Sequence, residues 1–261
     1  MKTMLTIRLE QCEVLGRTSL RHFEDEMVEH LNNFAPKHCE VIKESGIRTV
    51  IRLGIERAKE YGFTNRGPVR FYIELMFMFG SYFDTDSQYQ WAGEVLSDRA
   101  VSDQMFRANG LYHRATRYVE RISGPNHVYS IEALRRLTRP AIESLALGAD
   151  FHRSAVIVLT NLYPQKSQYL GQAGLRTVIQ RASELAARHS VTAPSGIALF
   201  IAATFAIGHC FVDDPLFPWI SATLNNTGLD DPNERVERLF TKMLTYLRHS
   251  LSYIEGKSPC V

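Results

Sequence analysis

The sequence predicts an all-α protein made of two similar helical-bundle units in tandem, and three observations predict it. The second half repeats the first at a constant offset of 128 residues: 24 of the 97 ungapped pairs from 23/151 to 119/247 are identical, against roughly six expected from average composition. Apolar residues recur at three- and four-residue steps through both halves. No stretch reads as a strand. The expected units span residues 1–122 and 148–261, with a linker and connecting helix over 123–147. A period of 128 is far above that of solenoid repeats, so each copy is expected to form its own core.

The elements follow in order. From Ser19, the residues Phe23, Met27, Leu31 and Phe34 gather on one helix face, and Pro36 ends or redirects that helix. Ile47, Val50, Ile51, Gly54, Ile55 and Ala58 form the stripe of a second helix, and Gly62 is placed to cap it. Its other face carries Arg48, Arg52, Glu56 and Glu60, at steps suited to solvated ion pairs. Thr64 and its counterpart Thr192 are expected N-caps of a third helix, with Pro68 and Pro194 near its first turn. That helix, Phe71–Phe79, is apolar on nearly all sides and belongs at a bundle centre. Gly80 and Gly208 sit where it should stop. A polar loop from Ser81 to Ser87 follows, then a short helix from about Trp91 to Leu96. A last helix carries Leu111, Ala115, Tyr118, Val119 and Ile122. Ser123–His127 reads as a boundary, and a connecting helix over about Ser130–Leu137 leads through Pro140 to the second copy.

Composition bounds the function classes. Thirty basic and 28 acidic residues leave a net charge of +2, which implies no basic face for nucleic acid. The longest apolar stretch, Ile197–Val212, is shorter than the roughly 20 residues of a membrane helix. Cys12, Cys39, Cys210 and Cys260 show no paired or zinc-ligand spacing and read as reduced thiols. The N-terminal residues lack an apolar core of signal-peptide length before their charges. A cytoplasmic setting is expected.

No motif carries catalysis. P-loop, G-x-S-x-G, G-x-G-x-x-G and H-E-x-x-H patterns are missing. Asp84 and Asp86 open like a calcium loop, but Tyr89 and Val95 stand where it needs glycine and a carboxylate. Neither a metal nor another cofactor is expected. His209 and Cys210 are neighbours; if helical they point about 100° apart and form no nucleophile–base pair. The aromatic–acidic loop is the place to look for a partner site: Tyr82, Phe83, Asp84, Asp86, Tyr89 and Trp91 in the first copy, Phe211, Asp214, Phe217 and Trp219 in the second. Tryptophan and tyrosine dominate such sites. An extended apolar or aromatic groove between the copies is the expected interface.

Several segments of the first copy resemble a family. Met4–Arg8 with Glu10 and Gln11, Phe23–Leu31, Ile51–Ala58 with Tyr61 and Gly62, and Gly80–Asp86 followed by Trp91 and Ala92 are similar to small bacterial accessory proteins. Those proteins are encoded beside spike and toxin genes of type VI secretion systems. The resemblance covers residues 4–122; the second copy departs at Val212, Pro215 and Pro218. It implies handling of a toxin before delivery, or protection against it. The expected function is therefore a non-catalytic adaptor or co-chaperone that binds a secreted effector or its loading chaperone. An immunity protein against a cytoplasm-acting toxin is the alternative, and a helical enzyme of unrecognised class the third.

Overall fold

The computed structural model describes residues 9–138 and 150–256. Met4–Arg8, Pro140, Cys260 and the remainder of the expected linker from 139 to 147 lie outside the described residues. Among the described residues there are eleven α-helices and two short 3-10 turns, and no strand. The helices of the first half are α1 (Leu9–Phe34), α2 (Pro36–Glu60), α3 (Arg66–Phe79), α4 (Gln90–Ser97) and α5 (Gln104–Ser123). Then come α6 (Val128–Leu137), α7 (Phe151–Leu162), α8 (Pro164–Arg188), α9 (Pro194–Ile207), α10 (Pro218–Leu224) and α11 (Pro232–Ile254). Helices α2, α3, α4 and α5 begin 128 residues before α8, α9, α10 and α11.

Local chemistry fixes these boundaries. Pro36 and Pro164 occupy first-turn positions, where a missing N–H costs nothing. Asp103, Asp150 and Asp231 cap α5, α7 and α11 by accepting from N–H groups of their first turns, at 2.8–3.2 Å. Thr64 and Thr192 do not cap the third helices: Asn65 and Ala193 hold those positions without a side-chain bond. In the first half a distant side chain takes the role. Gln104 Oε1 accepts from Thr64 N at 2.7 Å and Asn65 N at 2.9 Å, while its Nε2 donates to Thr64 Oγ1.

Both second helices contain a break that the apolar stripe does not reveal. Lys43 in α2 and Gly171 in α8 lie 128 residues apart, with φ 61°, ψ 172° and φ 64°, ψ −179°. Glycine reaches this region without penalty, whereas lysine is strained there.

The core of the first half joins Phe23, Met27 and Leu31 of α1 to Val50 and Ile51 of α2 and to Tyr72, Ile73 and Met76 of α3. Leu216 from the second half belongs to the same cluster. The second half has two clusters, around Phe200, Phe211 and Leu239 and around Leu159, Ile179 and Phe205. Helix α9 is central to both: every side chain from Ala198 to Phe205 is buried. Helices α3 and α9 end at Gly80 (φ 96°) and Gly208 (φ 134°), and there the halves meet. A Cβ on Gly80 would lie 2.9 Å from the carbonyl oxygen of Ile207, the last residue of α9. Only glycine permits both that dihedral and that approach.

Candidate functional site

The aromatic–acidic loops follow α3 and α9, so the meeting of these helix ends presses the loops together. Each loop carries one aspartate that serves two masters. Asp86 accepts from Gln88 N in its own turn at 2.9 Å, and across the seam from His209 N at 2.9 Å. Asp214 accepts from Leu216 N at 2.9 Å, and across the seam from Ser81 N at 2.9 Å and Ser81 Oγ at 2.6 Å. Ser81 and His209 are the residues that follow the two helix-ending glycines, 128 apart like the two aspartates. The contact is reciprocal.

Exchanging serine for histidine makes the two ends electrostatically different. His209 Nδ1 lies 3.3 Å from Asp86 Oδ2, within ion-pair reach though not aligned as a hydrogen bond. Burial opposes charge on the ring, but Asp86 and the neighbouring Cys210 outweigh it, and His209 is raised to about 9. Asp86 is correspondingly lowered although it is buried, because its partners, His209 first, outweigh the loss of solvent. Asp214 has only neutral donors within bonding distance, and burial pushes it up. His209 and Cys210 follow the end of α9 in a turn, not on a helix, so the helical spacing argument does not describe them.

A second reciprocal pair lies at the first turns of α2 and α8. His38 Nδ1 meets Tyr246 Oη at 2.9 Å among the rings of Phe77 and Phe217. Its counterpart Lys166 is buried, donates to the carbonyl of Phe205 at 2.5 Å, and stands over the rings of Phe205 and Tyr89. Burial lowers Lys166 to about 8. One acceptor for three donors makes the charged form costly.

Of the residues expected to face a partner, Phe83, Asp84, Asp86, Tyr89, Trp91, Phe211 and Asp214 are buried, and Tyr82, Phe217 and Trp219 are half-buried. Trp91 packs against Phe79 and Tyr118, Phe211 against Phe200, and Trp219 against Tyr246. In this structure the loops meet at the seam, and the space left beside Gly80, His209 and Cys210 is about 10 Å³. Aromatic and acidic composition suits an inner seam as well as an outer surface, which is why the loop sequence alone points either way.

Asp84 has a separate role, and the residues that complete it carry no local motif. Its carboxylate accepts from Arg57 at 2.5 Å and Tyr61 Oη at 2.8 Å, and the Arg57 guanidinium lies over the Tyr82 ring. Tyr72 completes the cluster, its hydroxyl pushed upward by burial first and by Asp84 second. In the second half the four positions are Leu185, His189, Phe200 and Val212. Both members of the ion pair are replaced together by apolar residues, so the second half buries neither charge of this pair without the other.

Among the described residues, no group of three or more His, Cys, Asp or Glu side chains could hold a metal ion, and no helix is long and apolar enough to cross a membrane. No family model matches the chain, and neither a curated protein nor a solved structure matches it.

Proposed function

We propose that this chain is a duplicated helical unit acting as a non-catalytic protein-binding accessory, with a type VI secretion effector or its loading chaperone as the partner. The observation that carries the binding role is an apolar ridge on the first half. Phe106 is 66 % exposed, Tyr112 53 % and Met105 49 %, and Met78 on α3 is exposed as well. The Phe71 and Tyr112 rings are 5.9 Å apart across α3 and α5, and Met105 reaches Gly67 at the start of α3. Phe71, Met105 and Tyr112 therefore share the α3–α5 surface, and Phe106 follows Met105 on α5. Their counterparts in the second half are Leu199, Ala206, Asn233, Glu234 and Phe240, so the ridge belongs to one half alone. Solvated apolar side chains grouped in this way mark interaction surfaces.

The choice of partner rests on the family resemblance of residues 4–122. Affinity purification from the native host identifies the partner, and titration of the purified pair tests the ridge. Phe106→Glu, which copies Glu234, is expected to weaken binding by ~10-fold or more without lowering the unfolding midpoint. Equal affinity of the variant and the parent chain would remove the ridge from the interface. Neutralisation of a toxin by an equimolar amount of the chain would assign the immunity role instead.

A further inference from the structure

Beside the ridge, helices α4 and α5 of the first half line a groove of about 450 Å³. Three features of α5 and its surroundings make it a built site. The first is Arg107, only 7 % exposed, whose guanidinium lies over the Phe63 ring and donates one long bond, 3.4 Å, to the carbonyl of Leu96. Its Nε has no partner. A buried guanidinium with unused donors is costly unless an acceptor arrives.

The second feature is the comparison with the other half. In the equivalent Arg235 each guanidinium nitrogen donates to a carbonyl: Leu229 at 2.9 Å, Leu224 at 3.2 Å and Asp230 at 3.2 Å. Lys242, the counterpart of Arg114, donates to Thr223 and ties α11 to α10. The same arginine thus has a partner for every nitrogen in one half and is left incomplete in the other.

The third feature is Gly110, in the interior of α5. A helix-interior glycine costs roughly 0.5–1 kcal/mol relative to alanine. Nothing local demands it: its dihedrals are helical, and a Cβ would make an ordinary 3.7 Å contact with Val95. The second half places Arg238 there. What glycine does at this position is keep the groove open.

The α5 wall of the groove is basic. His113, Arg114 and Arg117 line it from α5, and among the described residues Arg117 makes no ion pair or hydrogen bond. Glu94 and Asp98 line it from the α4 side; Glu94 stands 3.7 Å from Arg114, and Asp98 is occupied by the N–H of Ala100. Phe106 sits at the edge, joining groove to ridge.

We propose that the α4–α5 groove of the first half binds a short acidic segment of the partner protein, whose carboxylates meet Arg107, Arg114 and Arg117 while its apolar residues lie on Phe106. This inference rests on the accessory reading and names its recognition chemistry. Carboxylates complete the guanidinium donors with charge-assisted hydrogen bonds, and the basic wall sets the line the segment follows along α5.

The test uses the full chain and a short fluorescein-labelled peptide of alternating glutamate and leucine, with its glutamine and lysine counterparts as controls. The glutamate peptide is expected to bind at least ~10-fold tighter than either control and to weaken as salt rises. Arg117→Ala and Gly110→Arg should each reduce its affinity at least ~5-fold, while Arg176→Ala, on an exposed face of the second half, should not. Gly110→Arg is also expected to keep or raise the unfolding midpoint, which separates a filled groove from a damaged fold. Equal binding of glutamate and glutamine peptides, or full affinity in both groove variants, would overturn the proposal. If the purified partner then binds the Gly110→Arg chain normally but not the Phe106→Glu chain, the groove inference fails and the accessory reading stands.

Discussion

At the residue scale, the buried ion pair of the first half shows how this chain handles charge. Asp84 has no exposed side-chain surface and Arg57 little, so each is tolerable only beside the other. Removing one partner alone leaves an uncompensated charge. Asp84→Ala is therefore expected to destabilise the chain by about 3–5 kcal/mol, read as a fall in the urea midpoint at unchanged slope. The other half supplies the remedy. Arg57→Leu with Asp84→Val and Tyr72→Phe reproduces Leu185, Val212 and Phe200, and should recover most of that loss. If the triple variant is as unstable as Asp84→Ala, the apolar set of the second half depends on packing that the first half cannot reproduce.

At the scale of elements, much was legible because the signals were local. The third helix and its glycine stop follow from the run Phe71–Phe79 and from Gly80; the stop stands in the structure, while the helix begins earlier, at Arg66. The α2 break was not legible, because Lys43 carries no turn signal and only Gly171, 128 residues later, hints at it. Thr64 looked like a cap because caps are read from adjacent residues, whereas the acceptor that serves this turn comes from Gln104, 40 residues on. The inward direction of the aromatic–acidic loops was hidden for the same reason. Their partners, Ser81 for Asp214 and His209 for Asp86, lie more than a hundred residues away. The α2 break also yields a prediction. Lys43→Gly gives that position the residue that the second half already uses, and lysine at φ 61° is strained. Stability should rise by about 1 kcal/mol in thermal or urea unfolding. A loss would mean that the lysine chain makes a compensating contribution where it stands.

On the scale of the whole molecule, the seam joins the halves through groups that titrate in opposite senses, and this gives a pH dependence that neither half would show alone. His209 is raised from 6.5 to about 9 in the folded chain, so the native state holds more protons than the unfolded state between those values. Its contribution is complete below pH 6.5 and is lost as pH rises through 9, about 3 kcal/mol in all. Lys166 is lowered from 10.5 to about 8, so between pH 8 and 10.5 the unfolded state holds more protons and stability rises with pH, again by about 3 kcal/mol. The two slopes oppose each other between pH 8 and 9 and leave the parent chain with a shallow minimum there. Variants separate them. His209→Ser, which copies Ser81, should remove the fall between pH 6.5 and 9 and leave the rise. Lys166→Met should be more stable than the parent chain at pH 7, and that advantage should vanish by about pH 10.5 as the parent's unfolded lysine loses its proton. Urea unfolding across pH 6–10.5 measures both. If the Lys166→Met and parent curves run parallel above pH 8, the ammonium is not paying the burial cost assigned to it, and the reciprocal seam is held by its two aspartates without opposition from the buried lysine.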